Sequence, residues 1–392
     1  MKLSPKHTLA AGYIGYATQA LAINFTPLLF ITFEKSYNIS LGKIGLLIAI
    51  SFLTQLTVDA IAAKYASRID TRKTVVVGHI CAALGMVLLS FLPEVMPDAF
   101  TGLVIPTMLT AIGGGIIEVL ISPIIEACPT KEKSASMSLL HSFYSWGSVA
   151  TIFLSTLFFG FFGTQNWKIL ALIWAMLPLS GALMFSFVPI YSLKNEEILS
   201  CETGEKSLLR SGLFWMLFAV MFCAGASEMA MSQWASTFAE KGLGVSKALG
   251  DLAGPCLFSI LMGCSRVFYA KFGEKIDLVV FIIGSCVLCV GAYLLASLAE
   301  SPILGLIGCG LCGLSVGILW PGVFSIAAVR VPAGGTAMFA YLALAGDLGC
   351  SGGPTVVGMV ASAFGDNLNT GLLAALVFPV VLILGCIIIR KK

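Results

Sequence analysis

Twelve apolar stretches, each about 20 or more residues long, follow one another along this chain of 392 residues. Coiled as helix, such a stretch rises roughly 30 Å, the thickness of a bilayer's hydrocarbon core. They are placed at 9–33, 43–63, 74–93, 101–127, 136–162, 168–190, 211–238, 248–270, 278–298, 302–329, 335–363 and 368–389. Charged types make up 11% of the chain and hydrophobic types 58%. An ordinary soluble domain carries roughly 25% charged residues, so a soluble globule is excluded. A transmembrane barrel alternates apolar and polar residues over roughly 10-residue segments. Ile44 to Thr57 and Leu372 to Ile389 do not alternate. The expectation is an integral membrane protein built of helices.

At the start of the chain, Lys2, Lys6 and His7, an apolar run and Ala20-Leu21-Ala22 imitate a cleaved signal peptide. The run continues to Phe33, so a retained first helix is expected. Twelve spans put both termini on one side. Of the Lys and Arg residues, seventeen fall on that side and five on the other, with Arg266 inside a span. Cytoplasmic segments carry the positive excess, so both termini are expected in the cytoplasm, with the protein in the cell's plasma membrane. The net charge of +3 thus reports topology and calls for no nucleic-acid partner.

The chain repeats itself. Ala63 to Asp70 (AKYASRID) returns as Ala270 to Asp277 (AKFGEKID), an offset of 207 residues. At an offset of 206, Gly78, Gly85, Leu88, Leu89, Leu92 and Glu94 fall on Gly284, Gly291, Leu294, Leu295, Leu298 and Glu300. Further back, at an offset of 209, Gln19, Asn24 and Phe25 meet Glu228, Gln233 and Trp234. Six spans per copy give both copies the same orientation, which makes them parallel repeats. The expected domains are a six-helix bundle over 1–190, a cytoplasmic linker over 191–210 and a second bundle over 211–392. A monomer is expected to suffice.

This architecture resembles the major facilitator superfamily over the full length. The loop from Ala63 to Lys73 is similar to that family's signature between its second and third helices, with Ser67 at the place of its Asp and Asp70 at that of its second Gly. In span four, Gly113-Gly114-Gly115-Ile116-Ile117-Glu118 leads to Ser122-Pro123, which resembles the fucose-permease-like branch of proton symporters. That branch has Asn where Ser122 stands, and an acid in span one where this chain offers Asn24 and Pro27. The resemblance implies twelve helices in two halves and a proton-coupled sugar importer.

Asp59, Glu118, Glu228, Arg266 and Asp347 lie within spans. A charged side chain at a helix centre costs about 2.5 to 3.5 kcal/mol on insertion scales, so each must face a cavity, pair, or be neutralised. By residue count Glu118 and Asp347 fall nearest mid-membrane, Glu228 toward the outside, and Asp59 and Arg266 toward the cytoplasm. Asp347 shares a helix face with Cys350, Ser351 and Pro354, and Glu228 shares one with Ala224, Ser232 and Ala235. In span five, His141, Tyr144, Ser145 and Ser148 share a face. A transport cavity needs such groups, and a carboxyl taken out of water can carry a proton near neutral pH. The alternative is that each acid is a structural partner. Asn24, Gln233, Trp146, Trp234 and Trp320 complete the candidate binding set, since an inward-facing indole can lie against the apolar face of a sugar. Asp59 and Arg266 are repeat-equivalent at cytoplasmic helix ends, where a gating contact between halves is expected.

Cys286-x-x-Cys289 and Cys309-x-x-Cys312 imitate paired zinc ligands, but both pairs fall in apolar spans, where a cysteine serves as a small hydrophobe. No cofactor is expected. No Walker loop, Gly-x-Ser-x-Gly elbow or His-Glu-x-x-His run is present. The reading is therefore a carrier that draws on a gradient and catalyses no reaction, with small solutes, protons and the lipid bilayer as partners. Two other readings are an exporter of amphipathic compounds and a transporter-like receptor. Span five has no proline where superfamily antiporters carry a Gly-Pro motif, and no cytoplasmic signalling domain is expected.

Overall fold

The computed structural model describes residues 4–65, 70–129, 133–191, 210–272, 276–331 and 335–391. Among them every regular element is a helix. Span one is α1 (Pro5–Asn24), a 3-10 turn at Thr26–Leu29 and α2 (Phe30–Tyr37). Spans two and three are α3 (Leu41–Tyr65) and α4 (Thr71–Leu89), and the short α5 (Leu92–Val95) follows. Spans four to six are α6 (Ala99–Glu126), α7 (Lys133–Phe162) and α8 (Trp167–Phe187). Span seven is α9 (Gly212–Thr237), prolonged by a π-helical turn at Phe238–Gly242. Span eight is α10 (Lys247–Asp251), a π-helical turn at Leu252–Cys256 and α11 (Leu257–Phe272). The last four spans are α12 (Leu278–Leu298), α13 (Pro302–Val316) with α14 (Leu319–Arg330), α15 (Gly335–Ala363), and α16 (Leu368–Ala374) with α17 (Val377–Lys391).

Among the described residues, eleven of the spans are long and apolar enough to cross a membrane. The remaining one, α15, has 29 residues, but Asp347, Ser351, Gly352, Gly353 and Pro354 dilute its hydropathy. Residues 66–69 and 273–275 of the 63–70 and 270–277 match, and 192–209 of the linker, lie outside the described residues. Asp70 and Asp277 are the one pair of that match with both side chains described. Asp70 caps α4 by accepting from the Lys73 amide at 3.1 Å, and Asp277 caps α12 by accepting from the Val280 amide at 3.1 Å. An N-cap oxygen satisfies a helix's orphan donors, so the repeated acid has the same local role in both copies. The capped Lys73 amide holds the Asp70 carboxyl below the ordinary aspartate range.

The two copies also pack alike. Contacts of α1 with α7, α4 with α6, and α4 with α8 recur as α9 with α15, α12 with α13, and α12 with α17. The chain forms two compact units, Met1–Ile39 with Ile50–Lys194 and Ser40–Ala49 with Asn195–Lys392. The second unit thus takes in the first turns of α3, which the expected 1–190 boundary gives to the first half. Small residues explain it: a Cβ on Gly45 would lie 3.3 Å from the Gly358 Cα, and Gly42 meets Ser362.

Glycines set the closest seam, between α9 and α15. A Cβ on Gly349 would fall 1.9 Å from the Phe222 carbonyl oxygen, one on Gly225 would fall 2.2 Å from the Gly346 oxygen, and one on Gly353 would fall 2.4 Å from the Ala226 oxygen. Such backbone approach is how membrane helices gain dispersion contacts without a hydrophobic drive. The repeat-equivalent glycines differ between copies. Gly78 meets Ile116 at 2.6 Å, whereas Gly284 meets nothing within 4 Å and borders a cavity of about 530 Å³ that includes Phe268, Phe281, Leu288 and Leu314. Cys286, Cys289, Cys309 and Cys312 are fully buried in α12 and α13.

Candidate functional site

In the first unit, two helices bring amides to a carboxylate on a third. Gln19 of α1 and Gln55 of α3 each donate from Nε2 to Oε2 of Glu118 on α6, both at 2.5 Å. One helical turn along, the Tyr16 and Ser122 hydroxyls are 2.6 Å apart. The spacing produces this register: Tyr16 and Gln19 are i, i+3 on α1, while Glu118 and Ser122 are i, i+4 on α6, so each pair shares a face. Gly115 permits the approach, since a Cβ there would stand 3.0 Å from Asp59 Oδ1 and 3.2 Å from the Gln55 carbonyl oxygen. Gly113 serves packing, with its missing Cβ 2.5 Å from the Gly78 carbonyl oxygen. Gln55 was absent from the expected set. It precedes Asp59 by one turn, which was the available signal.

Asn24 is buried and donates to the Ala20 carbonyl at 2.8 Å and to Ser148 Oγ at 3.0 Å, joining α1 to α7. Tyr144 is half-buried one turn away, and its carbonyl accepts from Ser148. The side chain of His141 lies outside the described residues. Trp146 requires a correction. It is 65% exposed and lies on the stripe of Ala150, Phe153, Leu157 and Phe161, the exposed apolar face of α7, rather than facing inward. An aromatic residue midway along a helix signals depth and not direction.

In the second unit, Glu228 of α9 and Arg266 of α11 approach, with Nη2 and Oε1 3.9 Å apart. Residue count had set them at opposite depths. Two physical effects remove the difference. The π-helical turn lengthens span seven to Gly212–Gly242, which puts Glu228 near its middle. Helical side chains also lean toward the N-terminus, so Arg266, late in α11, reaches back toward mid-span. Its Nε donates to the Gly317 carbonyl at 3.3 Å. That carbonyl lies at the break between α13 and α14, four residues before Pro321, which has no N–H to give it.

Trp234 is a second correction. It is fully buried, its Nε1 donates to the Pro354 carbonyl at 2.9 Å, and a Cβ on Gly358 would lie 2.8 Å from its ring. The ring fills the seam between α9 and α15 and presents no free face. Gln233 is buried beside Met229. Trp320 is half-buried, with its ring against Gly346. Next along α15, Asp347 is partly exposed, and no described residue hydrogen-bonds or ion-pairs with it. Asp251 is an acid that the sequence reading passed over at the start of span eight. It is fully buried, accepts from the Ser236 hydroxyl and pairs with Lys247 at 2.9 Å, one turn away.

The profile of the Major Facilitator Superfamily matches residues 12–354. No curated protein matches the chain closely enough to count as a relative. Among solved structures, a bacterial homologue of the human lysosomal transporter Spinster, inward-facing and occupied, superposes with a TM-score of 0.80 at 14% identity, covering 100% of this chain and 98% of its own. The nucleoside transporter NupG gives 0.78 at 13% identity, covering 98% and 99%. The E. coli fucose:proton symporter gives 0.65 at 16% identity, covering 97% and 98%. At these identities the likeness concerns the fold.

Proposed function

The chain belongs to the Major Facilitator Superfamily and is a secondary transporter, and from that premise we propose that it imports a small polar solute together with protons. The observation that carries the proposal is Glu118 gripped by Gln19 and Gln55 within apolar helices. An ionisable group at that depth is costly unless a task retains it. Two donated amides leave both Gln Oε1 atoms as acceptors, a lining suited to a solute rich in hydroxyl groups. Glu118, Glu228 and Asp347 are the proton and substrate candidates, with Asn24, Gln233, Tyr144, His141 and Trp320 around them. Sugars are favoured, in keeping with the fucose:proton symporter among the fold's neighbours. Transport would proceed by rocking of the 1–190 bundle against the 211–392 bundle. Uptake into liposomes under an imposed proton gradient, with a panel of solutes, tests this directly: accumulation that ignores the gradient would remove the coupling.

Export of amphipathic compounds is the second reading, favoured by Pro354 in α15, which gives span eleven a proline-bearing motif. The liposome panel separates it, because a proton-driven exporter would exchange an added apolar drug for lumenal protons, making the lumen more alkaline, and would ignore sugars.

Two further outcomes belong to this proposal. Labels on both termini should react from the cytoplasmic face, and a signal from outside at Lys392 would overturn the twelve-span topology. Asp59→Asn should favour the inward-open state by roughly 5- to 30-fold, as expected for about 1 to 2 kcal/mol when a partly exposed helix-end carboxylate loses its contact with the opposite half. Spin-label distances across the cytoplasmic mouth read it, and an unchanged mouth would remove Asp59 from the gate.

A further inference from the structure

Glu228 and Arg266 form an incomplete pair. Their closest atoms are 3.9 Å apart, too far for a hydrogen bond, and Glu228 Oε2 is buried with no hydrogen-bond partner among the described residues. Arg266 commits Nε to the Gly317 carbonyl, and no described residue accepts a hydrogen bond from its remaining N–H groups. The neighbouring Tyr293 hydroxyl cannot complete the carboxylate, because it donates to the Ser227 carbonyl at 2.8 Å. Left this way, a guanidinium with spare donors faces a carboxylate with a spare acceptor, inside helices where each unmet polar group is expensive. The Arg266 side chain is 32% exposed and that of Glu228 is 6% exposed, so the opening lies on the arginine side.

The chemistry that would complete both groups is a hydroxyl. A hydroxyl oxygen can accept from Nη2 while its proton is given to Oε1, and a 3.9 Å separation admits one atom at about 2.8 Å from each. A second hydroxyl on the adjacent carbon would then accept from a remaining N–H of Arg266, the more exposed of the two side chains. A carboxylate solute would suit Arg266 but would confront Glu228 with a like charge, and an ammonium solute would do the reverse. We propose that Glu228 and Arg266 are a recognition site for the vicinal diol of the transported solute, with Arg266 a binding residue rather than the gate residue its place near a helix end suggested. This rests on the proposed small polar solute and narrows it to polyols.

The test uses the purified full chain in lipid nanodiscs and measures binding by calorimetry. The probes are a panel of monosaccharides, their single-deoxy analogues, nucleosides and short carboxylates. At least one monosaccharide should bind, and one particular deoxy analogue should bind about 10- to 100-fold more weakly, the loss expected for hydrogen bonds to charged groups. Glu228→Gln and Arg266→Gln should each give a similar loss for the parent sugar and little further loss for that deoxy analogue. The deoxy comparison uses the unsubstituted protein, so it decides even if a variant fails to fold. Binding of carboxylates without sugars, or sugar binding that neither substitution changes, overturns the site. Absence of any monosaccharide binding also overturns it, while gradient-driven uptake of another polar solute would leave the transport proposal standing.

Discussion

Accumulation of solute under a proton gradient is expected to vanish in Glu118→Gln, while exchange of solute across the membrane persists. A one-unit pH difference represents about 1.4 kcal/mol, so with one proton per solute it can sustain roughly tenfold accumulation. Without a titrating group at the coupling position, the ratio should fall to unity. Glutamine suits the test because its carbonyl oxygen can still accept from Gln19 and Gln55, whose 2.5 Å contacts define the site. Exchange needs the binding groups but no net proton movement, and it should stay within about tenfold of the parent rate. Proteoliposomes loaded with labelled solute give both readings. Undiminished accumulation would transfer the coupling role to Glu228 or Asp347.

Gly349→Val is expected to abolish a folded second half. The added Cβ would meet the Phe222 backbone at 1.9 Å, and a backbone oxygen cannot step aside without parting α9 from α15. Overpacking against movable side chains already costs about 1 to 3 kcal/mol, and this contact should exceed that range. Size-exclusion chromatography and a thermal-shift assay would register a lost monodisperse peak or a fall of at least about 10 °C. Gly284→Val is the control, since it opens onto free space and should behave as the parent. Equal behaviour of the two variants would mean that the seam between α9 and α15 is not what holds the unit together.

The fold was largely legible because two signals in the sequence are physical constraints. Spans must be about as long as the bilayer is thick, and a duplicated bundle must reuse its contacts, as the matching caps at Asp70 and Asp277 show. The site was legible only as a set of residue types. Asn24 and Glu118 emerged with polar partners on other helices, because polar groups in lipid have few alternatives. Trp146 and Trp234 did not emerge as binding faces, because hydropathy says nothing about which way a ring points. The approach of Glu228 to Arg266 was hidden by a π-helical turn and by side-chain lean, neither of which a linear count of residues contains.

The anchoring of Arg266 on the Gly317 carbonyl bears on the order in which the chain enters the bilayer. Span eight is synthesised before span ten, and the two bonded residues lie 51 positions apart. During that interval the guanidinium has left the ribosome but the carbonyl freed by Pro321 has not. Of its two partners, Glu228 is already present one span earlier. The cost of carrying an arginine into the span, up to about 2.5 to 3.5 kcal/mol at a helix centre, is then expected to be eased first by the charge of Glu228 and only later by the backbone hydrogen bond. Span eight is therefore expected to be fully seated only once the broken span ten lies beside it.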